Sequence, residues 1–104
     1  MVANVIYHIG NDMDSETIVK KGKIYTDDQT VRIESDHVVF ELENIEKAEL
    51  CKMNGLGTMI KIIYENGTIF LSVPRIFINV GTGFAIINYF ATKKLFFQIT
   101  SLIS

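Results

Sequence analysis

Lys20, Lys21, Lys23 and Arg32 form the one basic cluster of the chain. Their side chains are of the types that hold a phosphate or another anion through charge-assisted hydrogen bonds. Asp27 and Asp28 follow closely and oppose an anion there, and a solvated strand whose lysines blunt a sheet edge gives the same pattern. His8, His37 and Cys51 are the side chains most able to bind a soft metal or act as nucleophiles. None has a partner at a ligand spacing such as Cys-x-x-Cys or His-x-x-x-His, so neither a metal nor a cofactor is expected. Glu41, Glu43, Glu46 and Glu49 offer carboxylates for acid–base chemistry, but their spacing is that of outward positions on solvated strands. Gly55-Leu56-Gly57 and Gly81-Thr82-Gly83 are too short for a phosphate cradle, which needs a third glycine between a strand and a helix. No catalytic motif rises above background, and the chain is expected not to be an enzyme.

The elements that position these residues are legible from hydrophobic period. Six or seven short alternating segments fill residues 2–74, separated by turn signals, and a helical pattern closes the chain over about 81–102. Val5, Tyr7 and Ile9 open the first strand; Ile18, Val19, Ile24 and Tyr25 mark the second, with Gly22 a candidate bulge. Val31 and Ile33 follow, then Val38, Phe40 and Leu42 alternating with Val39, Glu41 and Glu43. Ile45, Ala48 and Leu50 fit a strand that ends at Asn54-Gly55, and Ile60, Ile62 and Tyr64 continue the alternation. Asn66-Gly67 then predicts a hairpin with a type I′ turn, which needs positive φ at both central residues. Ile69, Leu71 and Val73 make the last strand, which Pro74 should end because it has no N–H for the ladder.

In the closing segment Phe84, Ile87, Ala91, Leu95, Ile99 and Leu102 share one helical face, which should cover the sheet, and Thr82 is a candidate N-cap. Ile86, Tyr89, Phe90, Phe97 and Ile103 fall off that stripe. Either the sheet curls around the helix or a partner covers the remainder.

The 104 residues suit a single domain, 1–104, and the 48% hydrophobic content is enough for one core. A net charge of −2 without a broad basic surface gives nucleic acid no general hold. The longest uncharged stretch, residues 76–92, is interrupted by Asn79, Gly81, Thr82, Gly83 and Asn88, so no transmembrane segment is expected. One cysteine and a start lacking the basic and apolar regions of a leader make the cytoplasm the expected location.

The stretch from Glu16 to Phe77 resembles the pleckstrin-homology-like superfamily, especially its GRAM and bacterial PH-like branches. The likeness is carried by Gly22-Lys23-Ile24-Tyr25-Thr26, Thr30-Val31-Arg32-Ile33, Val38-Val39-Phe40, Leu42-Glu43-Asn44-Ile45-Glu46-Lys47-Ala48, the hairpin at Asn66-Gly67 and the terminal helix. The resemblance implies an α+β, mainly β, partial barrel of about seven antiparallel strands capped by one C-terminal helix. It also implies that Lys20, Lys21, Lys23 and Arg32 lie where members that bind phosphoinositides carry their basic residues.

Two functional expectations follow. The first is an interaction or scaffolding module that presents a sheet edge or the helix's spare apolar face to a protein partner or a second copy of itself, with Ile86, Tyr89, Phe90 and Phe97 at the interface, since large aromatic side chains are enriched in interface cores. The second is peripheral binding of anionic lipid headgroups through the basic cluster.

Overall fold

The computed structural model describes residues 1–12, 19–27, 29–36, 38–53, 57–79 and 84–103, by backbone alone over 76–79 and 84–86. The chain is mainly β. Its strands are β1 (Val2–Ile9), β2 (Lys20–Thr26), β3 (Val31–Ser35), β4 (Val38–Glu41), β5 (Lys47–Met53), β6 (Gly57–Tyr64), β7 (Gly67–Ser72), β8 (Pro74–Asn79) and β9 (Phe84–Ile87), followed by one helix, α1 (Tyr89–Thr100). The first seven strands form one open antiparallel sheet in the order β4-β3-β2-β1-β7-β6-β5, and β8 and β9 pair separately.

Both faces of the sheet centre are covered. On one face Val5, Ile24, Ile33, Ile60, Ile62, Ile69 and Leu71 pack with Leu95 and Ile99 of α1, while Ala91 and Leu102 lie half-buried against them. On the other, Ile6, Val19, Met59 and Phe70 pack with Cys51, Met53 and Ile87. This second cluster explains why Val5, Ile6 and Tyr7 are buried in succession, because a strand covered on both sides no longer alternates.

The C-terminal third departs from the sequence expectation. The helix begins at Tyr89 rather than near 81, and its N-cap is Asn88, whose Oδ1 accepts from the Ala91 N–H at 3.1 Å. Thr82 and the Gly81–Gly83 triplet lie outside the described residues, as do Gly55, His37 and Asp28. Phe84 and Ile87 belong to β9, where Ile87 covers the second cluster, so they are not part of the helical stripe. Pro74 opens β8 instead of ending the β structure. At the first position of a strand in a two-stranded ladder its missing N–H costs no central hydrogen bond.

Three local expectations also change. β1 and β2 pair without a slip from Val2↔Tyr25 to Tyr7↔Lys20, so Gly22 is not a bulge. A Cβ at Gly22 would stand 2.6 Å from the Glu34 carbonyl oxygen, so close strand approach is what requires glycine there. The β6–β7 hairpin turns at Glu65-Asn66, with Tyr64 opposite Gly67, and Gly67 alone takes a positive φ, of 136°. Leu42 lies just past β4; it remains in the core, and its N–H donates to the Val31 carbonyl at 2.8 Å.

Candidate functional site: the outer face of the terminal helix

The residues that anchor α1 also determine which of its faces is left outside. Asn88 N–H donates to the Val73 carbonyl at 2.8 Å, fixing the helix start at the end of β7. One turn later, the buried Thr92 hydroxyl accepts from the Val73 N–H at 3.0 Å and lies 3.0 Å from the Ser72 hydroxyl, which donates to the Thr58 carbonyl. These bonds satisfy polar groups that would otherwise be buried without partners. With Thr92, Leu95 and Ile99 turned inward onto the sheet, helical geometry turns Phe90, Lys94, Phe97 and Ser101 outward in one row.

That row carries large apolar surface. Phe90 is 77% exposed, Phe97 57% and Tyr89 46%. The rings of Tyr89 and Phe90 meet edge to face at 5.5 Å, and Phe96 and Phe97 tilt together at 5.7 Å. Phe90, Lys93, Lys94, Phe97, Gln98 and Ser101 border a shallow groove along the helix. The Lys93 ammonium lies 5.9 Å from the Tyr89 ring centre and 6.0 Å from that of Phe97. Three of the four expected interface residues, Tyr89, Phe90 and Phe97, therefore come together on one exposed face. Ile86 does not join them on the helix, because it stands on β9 opposite Ile76.

Lys93 and Lys94 belong to this face and were missed by a reading of apolar periodicity alone. A charge signal existed: all twelve Asp and Glu residues fall within 1–65, and residues 66–104 carry Arg75, Lys93 and Lys94 with no carboxylate side chain. Neither lysine takes part in a described ion pair.

The basic cluster is arranged differently. Lys21, Lys23 and Tyr25 alternate on one face of β2, while Lys20, paired opposite Tyr7, leaves on the other. Lys23 sits across from Glu34 and Arg32 across from Glu41. Arg32 also bonds Glu34 at 3.4 Å and lies over the Tyr25 ring at 4.7 Å. Cations and carboxylates thus interleave across β2, β3 and β4, which lowers the local positive potential. The four cations do not converge on one point.

The remaining candidates are separated. His8 is half-buried on β1. Cys51 is half-buried on β5, and its burial, reinforced by the Glu49 carboxylate and opposed by Lys61, pushes the thiol above its ordinary value. Glu41, Glu43 and Glu46 are exposed, and Glu49 pairs with Lys47 at 3.5 Å. Among the described residues no group of three or more His, Cys, Asp and Glu is placed to hold a metal ion. No described helix is long and apolar enough to cross a membrane.

No family model, curated protein or solved structure matches this chain.

Proposed function

We propose that this protein is a non-enzymatic interaction module of PH-like type that docks protein, a second copy of itself included, through the outer face of α1. The observation that carries the reading is the row of Phe90 and Phe97, more than half exposed on a helix whose inner face is already committed to the core. Exposed aromatic surface of this kind gains free energy on burial at an interface. What supports the PH-like reading is one antiparallel sheet of seven strands followed by a terminal helix, with the β8–β9 pair between them.

Solution mass by light scattering over a dilution series tests it. The wild-type chain is expected to exceed monomer mass at high concentration, and Phe90→Ser with Phe97→Ser is expected to return it to monomer with an unchanged circular dichroism spectrum. A wild-type chain that stays monomeric throughout would count against self-docking. A mass that both serines leave unchanged would place the contact elsewhere.

A further inference from the structure

The aromatic face of α1 is a poor match for its own copy. The stretch from Phe90 to Phe97 is centred between Lys93 and Lys94. In a two-fold contact each patch meets itself, so pairing these helices through the two rings brings the lysines of both copies together at the axis. Desolvating like charges in juxtaposition opposes such a dimer. A fitting partner surface offers apolar side chains with carboxylates beside them along one line.

The chain carries such a surface at the opposite end of its strand order. β4 is the edge of the seven-stranded sheet, with β3 on one side and no strand on the other among the described residues. Val38 is 54% and Val39 61% exposed, although strand alternation directs them to opposite faces. Their joint exposure marks a strip that neither α1 nor the β8–β9 pair covers. Val39 and Glu41 share one face of β4, and the exposed Glu43 and Glu46 follow. Glu41, Glu43 and Glu46 take part in no described ion pair. β4 is four residues long and ends in Glu41, features that disfavour pairing of another strand, while covering by a helix is compatible with both.

We propose that α1 of one copy packs on the β4 edge of the next. Phe97 covers Val38 and Val39, and Lys93 and Lys94, which precede it on the helix, face Glu41 and Glu43 further along the same edge. The proposal rests on the docking role of α1 given above and adds the occupant. Because two different patches meet, the contact repeats head to tail and grows beyond two copies, as a ring if the rotation closes and a filament if it does not.

Complementation tests it. Phe90→Ser/Phe97→Ser leaves only the β4 surface, and Val38→Lys/Val39→Lys leaves only the helix surface. All four positions are exposed, so both variants should fold, which near-ultraviolet circular dichroism and thermal melts verify. Each variant alone is expected to be monomeric at concentrations where the wild type is oligomeric, and an equal mixture is expected to form a 1:1 heterodimer and nothing larger. The heterodimer should weaken several-fold as salt rises, because its lysine–glutamate pairs are partly screened.

If Val38→Lys/Val39→Lys still self-associates while Phe90→Ser/Phe97→Ser does not, the helix docks but β4 is not its partner. The head-to-tail proposal then fails while the docking role stands. A wild-type chain that is monomeric at every concentration overturns the head-to-tail proposal and self-docking, and leaves only docking of a different protein. Phe90-dependent binding of the wild type to phosphatidylserine vesicles, without self-association, overturns the proposal in favour of a membrane surface.

Discussion

At the scale of single residues, the chemistry-bearing types among the described residues are kept apart or interleaved with opposite charge. Cys51 illustrates this best. Burial, with the Glu49 carboxylate adding to it, raises the thiol above its ordinary 9.0, so the reactive thiolate is scarce near neutral pH. We expect Ellman's reagent to modify Cys51 more slowly than a free cysteine at neutral pH, with the rate rising with pH and levelling off at a higher pH than for the free thiol. Modification as fast as that of free cysteine would contradict this environment. The same shift has a stability consequence: the unfolded chain ionises the thiol first, so this group's contribution is whole below 9.0 and is lost as pH rises above it. The types of these residues are plain in the sequence, but their isolation is not. Spacing along the chain does not tell that Lys23 faces Glu34, or that Arg32 shares itself between Glu34 and the Tyr25 ring; those neighbours are set by strand register.

At the scale of elements, the register of β2 depends on Gly22. A methyl group there would meet backbone, the Glu34 carbonyl, which cannot swing aside as a side chain can. Gly22→Ala should therefore cost about 1–3 kcal/mol in chemical denaturation, the range for overpacking a tight site. A neutral effect would mean that β2 and β3 separate easily. The seven strands of the main sheet were readable because apolar residues recur at alternate positions over most of them and turn residues punctuate them. The last third was not, for a specific physical reason. Phe84, Ile87 and Ala91 satisfy a helical spacing by sequence, yet Ile86 and Ile87 are β-branched and pair with β8, where Ile87 helps cover Met59 and Phe70. Tertiary cover of the second sheet face outweighed the local period, and Asn88 then started the helix several residues later than Thr82 would have.

At the scale of the whole molecule, α1 serves two surfaces. Leu95 and Ile99 complete the core, while Phe90, Phe97 and the two lysines between them are left outside. The exposed aromatics were expected from the off-stripe positions; Lys93 and Lys94 became part of the site only once the helix had a defined outer face. The separation of charge along the chain, with every carboxylate side chain at or before Glu65, puts Glu41, Glu43 and Glu46 in and after β4, Glu41 across from Arg32, and leaves Lys93 and Lys94 without nearby carboxylates in sequence on the aromatic helix. The central claim is that the outer face of α1 is where this protein binds protein. The most direct measurement is a residue-by-residue map of backbone amide chemical shifts as the wild-type chain is concentrated. Concentration-dependent shifts gathered on residues 89–101, with a second group on 38–43, are the predicted result. Shifts that gather on 20–32 instead, or that leave 89–101 unchanged while the mass rises, would contradict the account.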